Sequence, residues 1–221
     1  RNNVSDAFIY SGGSIMPLID GLYNKDIRYY VNSHEQNCGH ALTGYSKSNT
    51  EHNKKAIVMT TSGPGFTNTI TPMLDATNDS SPLLIISGQV STKARGTNAF
   101  QEAPAVELSK HVSKWSYQIE KISDIPYIMD QAFRIANNGK KGTVHIDVPK
   151  DISSGTSNDV FTYERKVKLD KLVPNIIYSE LMDFNECKNI INKINQSEKP
   201  IIYLGQGCKK YPDLLRKFAE K

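Results

Sequence analysis

The sequence predicts an α/β fold in which helices cover both faces of a mainly parallel sheet, a three-layer αβα architecture. Short β-branched runs alternate with helical patterns over residues 1–152, and this alternation is typical of βαβ units. The runs at 56–60 and 83–86 are continuous rather than alternating in apolar character. Continuous runs of this kind favour strands that are buried on both faces of a sheet.

Residues 1–152 are therefore predicted to form one domain with six strands and five helices. The predicted strands are 7–10, 27–31, 56–60, 83–87, 115–119 and 143–147, and the predicted helices are 15–23, 35–48, 65–78, 104–110 and 125–138. Each of these stretches has a length that is ordinary for its type in globular proteins.

The character of the chain changes after residue 152. Residues 153–178 are polar and charged, which is typical of an interdomain linker. The rest, 179–221, predicts the start of a second α/β domain, with a helix at 179–196, a strand and glycine turn at 199–207 and a final helix. Because one βα unit cannot bury its own apolar face, we expect the natural polypeptide to be longer.

Composition and charge argue against several classes of protein. The 221 residues carry a net charge of +4 without a long Lys/Arg run, so we expect no nucleic-acid partner. No apolar run approaches about 18 residues, so we expect no membrane span. Three cysteines without a C-x-x-C pair predict neither a disulfide framework nor a zinc site. Together with the lack of a visible signal peptide, this favours a reducing compartment over secretion.

Polar or glycine-rich motifs follow three of the predicted strands. Glu35 follows the second strand and opens a helix, where a carboxylate is most often a cap. The G-P-G segment at 63–65 lets the backbone approach a ligand, although a plain tight turn is an equally good interpretation. Gly88 and Gln89 end the fourth strand. Because the carboxyl ends of parallel strands share one edge, where ligands bind in such folds, the coincidence favours a site.

In combination these motifs resemble one family, the acetohydroxyacid (acetolactate) synthases. The matching segments, in the family's order and approximate spacing, are G-G at 12–13, H-E-Q at 34–36, T-S-G-P-G at 61–65, T-N at 67–68, G-Q-V at 88–90, A-F-Q-E at 99–102 and D-V-P-K-D at 147–151. The resemblance is strong over 5–152 and weak over 199–207. It implies that 1–152 is the thiamine-diphosphate pyrimidine-binding (PYR) domain of the catalytic subunit, and that 179–221 is the truncated start of its central domain.

The resemblance also implies a reaction. Pyruvate condenses with a second 2-ketoacid, with loss of CO₂, to give acetolactate or acetohydroxybutyrate in branched-chain amino-acid biosynthesis. Glu35 is the implied catalytic residue, which hydrogen-bonds N1′ of the aminopyrimidine and promotes the imino tautomer that generates the ylide. Gln101 is implied to share the catalytic role and, with Phe100, to border the substrate. The implied cofactor contacts are Tyr10, Gly12, Gly13, Glu35, Thr61, Pro64, Asn68, Gln101 and Lys140.

Further cofactors and partners follow from the same resemblance. Thiamine diphosphate is implied to bind through Mg²⁺, with metal ligands outside this chain, because the family's G-D-G motif is absent from it. FAD is less well supported, since Lys140 stands where the family has arginine and lacks its planar fork. A homodimer or tetramer with shared active sites and a regulatory subunit are implied, so this chain alone is expected to be inactive. The expected compartment is the cytoplasm, or a plastid or mitochondrion in a eukaryote.

Other interpretations stay open on the sequence. Another thiamine-diphosphate-dependent carboligase or decarboxylase shares Glu35 and parts of the glycine segment. A non-catalytic, truncated homologue fits the short second domain and Ser11, which replaces the family's proline, although Glu35 and Gln101 are kept. A nicotinamide-binding domain is disfavoured because its G-x-G-x-x-G fingerprint is absent.

Overall fold

The computed structural model describes residues 2–48, 55–174, 183–205, 207–208 and 211–220. The chain divides into two compact units, residues 1–176 and 177–221. Among the described residues, no helix combines the length and the apolar character that a membrane crossing requires.

A six-stranded parallel sheet forms the centre of the first unit. Its strands are β1 (Val4–Ile9), β2 (Arg28–Val31), β3 (Lys55–Thr60), β4 (Leu83–Gln89), β5 (Trp115–Gln118) and β6 (Thr143–Pro149). The strand order is β2-β1-β3-β4-β6-β5, and every pair of neighbours is parallel. All six predicted strands are confirmed, with shifts at some of their ends.

Helices cover both faces of this sheet, so the predicted three-layer αβα architecture is confirmed. The helices of the first unit are α1 (Met16–Asp20), α2 (Glu35–Ser48), α3 (Pro64–Thr67), α4 (Ile70–Asn78), α5 (Ala105–Ser109), α6 (Ile125–Asn137), α7 (Lys150–Ser153) and α8 (Tyr163–Asp170). The single helix predicted over 65–78 is wrong, because Asn68 and Thr69 separate α3 from α4. The Thr69 hydroxyl donates to the carbonyl of Phe66 at 2.6 Å, a local bond that competes with a continuous helix.

The sheet buries one apolar cluster on each face. Successive side chains of a strand point to opposite faces, so Leu84 and Ile86 of β4 join the larger cluster, with α6. Leu83 and Ile85 join the smaller cluster, with α2 and α4. Every residue of β4 is buried, which confirms the prediction that 83–86 is covered on both faces.

Part of the stretch predicted as a linker, 153–178, packs on the first unit. Leu169 of α8 is completely buried in the larger cluster. Arg165 of the same helix donates from Nε to Asp124 at 3.0 Å and pairs with Glu120 at 3.0 Å. The charged composition of this stretch therefore belongs to an amphipathic helix with one buried leucine. The boundaries of the predicted PYR domain, linker and central domain stay predictions.

The described part of the second unit contains two long helices, α9 (Phe184–Asn195) and α10 (Pro212–Ala219). Asp183 caps α9 by accepting a hydrogen bond from the backbone N–H of Asn185 at 3.2 Å. The predicted strand at 199–207 is wrong over 201–205, where the chain forms no strand. A strand needs a neighbour for its backbone donors and acceptors, and the described residues of this unit supply none.

Helices α2 and α4 approach each other closely at Gly39. A Cβ atom at Gly39 would lie 2.5 Å from Cβ of Pro72 on α4. Gly44 is in the same helix, but a Cβ there would have nothing within 4 Å. The spacing of the two helices therefore depends on the first glycine and not on the second.

Replacing Gly39 with alanine should lower the free energy of unfolding by about 1–3 kcal/mol, the usual cost of overpacking a close contact. The matched control, Gly44→Ala, should raise it by up to about 1 kcal/mol, because alanine is the better helix former. Urea unfolding of both variants measures the difference. Equal stability of the two would contradict this account of the helix contact.

Candidate functional site

Four loops meet at the carboxyl edge of the sheet. They follow β2, β1, β3 and β4, which lie side by side in that order. All four strands are parallel, so their carboxyl ends lie at the same edge. Ligands bind at this edge in open α/β sheets.

Glu35 begins α2 and is 7% exposed. Its Oε2 accepts a hydrogen bond from Nδ2 of Asn68 at 3.0 Å, and no described residue donates to Oε1. The first turn of α2 is capped instead by His34, whose Nδ1 accepts from the backbone N–H of Gln36 at 3.1 Å. The carboxyl group of Glu35 is thus held by a second loop rather than by its own helix.

Glycines keep the space around this carboxyl open. A Cβ at Gly65 would lie 3.6 Å from Oε1 of Glu35 and 2.6 Å from Cγ2 of Thr61. A Cβ at Gly12 would lie 2.5 Å from Cβ of Thr61, whereas one at Gly13 would have nothing within 4 Å. The close approach of two loops therefore requires glycine at 12 but not at 13, and the fold of the segment after β3 requires glycine at 65.

Ser14 ties three of the loops together. Its Oγ lies 2.9 Å from Oγ1 of Thr61 and accepts from the backbone N–H of Ser62 at 2.9 Å. A Cβ at Gly88 would lie 2.3 Å from the same hydroxyl oxygen. No sequence motif pointed to Ser14. Its position directly after the G-G pair was the only local signal.

Gln101 occupies a strained backbone conformation against Gly63. Its φ is +60°, in the left-handed region that residues with side chains rarely adopt. A Cβ at Gly63 would lie 2.8 Å from the carbonyl oxygen of Gln101. Strain of this kind costs about 1–3 kcal/mol per residue and is concentrated at functional sites.

The remaining predicted site residues lie at different distances from Glu35. Tyr10 directly follows β1 and packs against the smaller apolar cluster. Pro64 is exposed at the start of α3, and Phe100 is 88% exposed. Lys140 lies in the loop before β6, at the amino edge of the sheet. The structure therefore does not bring Lys140 together with the other predicted residues.

The loops at this edge lie within the part of the chain that matches a known protein family. Residues 1–108 match the model of the family described as "Thiamine pyrophosphate enzyme, N-terminal TPP binding domain". The match includes Glu35, Thr61, Asn68 and Gln101. Residues 1–108 are therefore similar to the N-terminal domain of the thiamine pyrophosphate enzymes. The resemblance inferred from the motifs is confirmed at this level.

Acetolactate synthases from distant organisms align with almost the whole chain. The mitochondrial acetolactate synthase of Schizosaccharomyces pombe is 35% identical, with 100% of this chain and 34% of that protein covered. The large subunit from Lactococcus lactis is 36% identical, with 97% and 36% covered. The chloroplastic enzyme of Arabidopsis thaliana is 35% identical, with 100% and 32% covered. The chain thus spans about a third of the length of these curated relatives.

A buried polar network lies on β4, β5 and β6 of the first unit, and no sequence motif pointed to it. Asp147 accepts hydrogen bonds from Ser87 at 2.8 Å, Gln89 at 3.1 Å and Gln118 at 2.6 Å. His145 lies 2.8 Å from the same serine hydroxyl. Because strand side chains alternate, residues 145 and 147 share one face of β6. That spacing was the signal available in the sequence.

Burial sets the protonation of both groups. Burial raises the pKa of Asp147 to about 6, although its hydrogen bonds oppose the shift. Burial lowers the pKa of His145 to about 3, so the imidazole is neutral and carries one N–H. Since Ser87 donates to Asp147, its oxygen accepts from Nε2 of His145. Nδ1 then accepts from the hydroxyl of Ser109 at 2.9 Å.

Asp147→Asn should change how the free energy of unfolding depends on pH. The folded pKa of about 6 lies above the ordinary value of 3.8, so the fold favours the protonated acid. The resulting stabilisation is complete at about pH 4 and is lost as the pH rises through about 6, a change on the order of 3 kcal/mol. Asparagine does not titrate and should lack this loss.

Urea unfolding of both proteins between about pH 4 and pH 8 tests this expectation. The difference between the two proteins isolates Asp147 from all other titrating groups. Parallel pH profiles would show that Asp147 does not have a raised pKa in the folded state.

Proposed function

We propose that the natural protein is an acetolactate synthase, which condenses pyruvate with a second 2-ketoacid to give acetolactate or acetohydroxybutyrate, with loss of CO₂. The reaction belongs to branched-chain amino-acid biosynthesis. The observation that carries the proposal is the buried carboxyl of Glu35, with one oxygen held by Asn68 and the other beside Gly65. The acetolactate synthases that align with this chain support the choice of reaction.

The surroundings of Glu35 fit the aminopyrimidine ring of thiamine diphosphate. Its Oε1 receives no hydrogen bond from the described residues, and the missing side chain of Gly65 leaves room beside that oxygen. A carboxyl group in this place can share a proton with a ring nitrogen, here N1′. When bound, the cofactor supplies the electron sink for the carbanion chemistry, while the protein supplies orientation and proton control.

Contacts support the proposed roles of Asn68, Thr61 and Gly12, and the family resemblance supports the others. Asn68 donates to Oε2 and so orients Oε1 towards the ring nitrogen. Thr61 and Gly12 form a tightly packed wall that keeps the neighbouring loops in place. Phe100 and Gln101 border the substrate, and Gln101 contributes to catalysis. Tyr10, Gly13 and Pro64 complete the proposed cofactor surroundings.

Further cofactors, partners and the compartment belong to the same proposal. Mg²⁺ binds the diphosphate through ligands outside this chain, which contains no G-D-G motif. Subunits form a homodimer or tetramer with shared active sites, and the relatives named as large subunits support a regulatory partner. FAD binding has less support, because Lys140 lies at the opposite edge of the sheet from Glu35. The compartment is the cytoplasm, or an organelle such as those named for the mitochondrial and chloroplastic relatives.

Replacing Glu35 with glutamine in the natural full-length protein should remove most of its turnover. Glutamine has the same shape and can still accept from Asn68, but it cannot exchange a proton with a ring nitrogen. We expect acetolactate formation from pyruvate to fall by about 10²–10⁴-fold, the usual contribution of general acid–base catalysis. Proton exchange at C2 of the thiazolium, followed by NMR, should fall as well.

The matched control is Glu164→Gln, at an exposed glutamate of α8. It should keep the activity of the unmodified protein. Undiminished C2 exchange in the Glu35 variant would refute the proposed role of that residue.

A further inference from the structure

The loop between Gly96 and Glu102 is organised around one carboxylate. The backbone N–H of Gly96 donates to Oε1 of Glu102, and that of Ala99 donates to Oε2 at 3.2 Å. The backbone N–H groups of Thr97 and Asn98 contribute further to the lowering of the pKa of this carboxyl. Successive N–H groups that converge on an anion form an anion-binding nest. Here the loop supplies its own anion.

The same loop contains three residues with a left-handed backbone. Their φ angles are +76° at Gly96, +56° at Asn98 and +60° at Gln101. Glycine adopts this region without cost, and asparagine tolerates it better than most residues. A strained loop persists only where other contacts hold it. The bonds to the carboxylate of Glu102 are contacts of this kind.

The charge of Glu102 is matched to these donors. The backbone N–H of Gly96, followed by those of its neighbours, lowers the pKa of the Glu102 carboxyl below its ordinary value. The group is therefore ionised at neutral pH. The stabilisation of the loop is present above the ordinary pKa and is lost as the pH falls through the lowered one.

The far end of the loop lies at the candidate site. The backbone of Gln101 packs against Gly63, within the T-S-G-P-G segment that also carries Thr61. Phe100 precedes it and is largely exposed. Because the nest fixes the backbone from Gly96 to Ala99, it also fixes the place from which these two side chains extend.

We propose that Glu102 is a positioning residue, whose carboxylate holds the 96–102 loop in the strained conformation that presents Phe100 and Gln101 to the 2-ketoacid substrate. The proposal rests on the proposed function, since substrate contact by Phe100 and Gln101 is part of it. Glu102 itself touches no substrate, because both of its oxygens accept from the loop. It differs in this respect from Glu35, which acts on the cofactor.

The first experiment tests whether the hydrogen bonds to Glu102 hold the 96–102 loop, and it does not depend on enzyme activity. Amide hydrogen exchange in the natural full-length protein is compared between Glu102→Gln and the unmodified form, for peptides that cover 96–102. Glutamine keeps the size of the side chain but removes its charge, so we expect exchange there to accelerate by about tenfold. Glu107→Gln, at an exposed glutamate in the neighbouring helix α5, should leave it unchanged.

The second experiment separates substrate binding from the chemical step. In Glu102→Gln the KM for pyruvate should rise by about tenfold, while proton exchange at C2 of the thiazolium stays that of the unmodified protein, because Glu35 and Asn68 are untouched. The thermal midpoint of unfolding should fall only slightly, because the contacts that are lost belong to one surface loop. A merely structural role would change stability and leave the KM in place.

The outcomes distinguish a failure of the positioning role of Glu102 from a failure of the proposed function. Unchanged exchange in Glu102→Gln would overturn the nest, and accelerated exchange with an unchanged KM would overturn its positioning role. If Glu35→Gln retains full turnover, the proposed function fails while the exchange result still decides the nest.

Discussion

A single contact between two loops, the hydrogen bond from Asn68 to Glu35, determines how the candidate catalytic carboxyl is oriented. The two residues follow strands that are separated in the sheet by β1. The contact exists only because the parallel strands deliver their loops to one edge, and because Gly39 lets α2 approach α4 closely. The geometry of the sheet and the missing side chain of Gly39 therefore determine where the carboxyl group of Glu35 can hold a proton.

The loops converge at the edge of the sheet because glycines, which have no side chains, stand where the loops touch. Gly12, Gly63 and Gly88 each lie where a Cβ would meet a neighbouring loop at less than 3 Å. The consequence is a densely packed edge whose polar groups are joined by short hydrogen bonds, as at Ser14. A rigid edge of this kind suits proton transfer, which depends on geometry at the level of fractions of an ångström.

The apolar interior behind this edge also contains a polar network. Asp147 and His145 are buried, and each is satisfied by neutral hydroxyl or amide groups instead of an opposite charge. Such a network is tolerated when every member has a partner, and it then restricts the core to one arrangement. Desolvation explains why burial shifts the pKa of each group in the direction that favours its neutral form.

The sequence by itself determined the six strands, a mainly parallel sheet in three layers and the place of Glu35 after the second strand, because periodicity and turn residues act locally. It also carried the motifs that assign the family. Only the tertiary structure decided three further features. They are the hydrogen bond between Ser14 and Thr61, the network around Asp147 and the burial of Leu169 within a charged stretch. It also decided that 201–205 forms no strand. The first three features depend on a partner residue that is distant in the chain, and the last depends on the absence of a neighbouring strand among the described residues. The local sequence pattern carries no information about such partners.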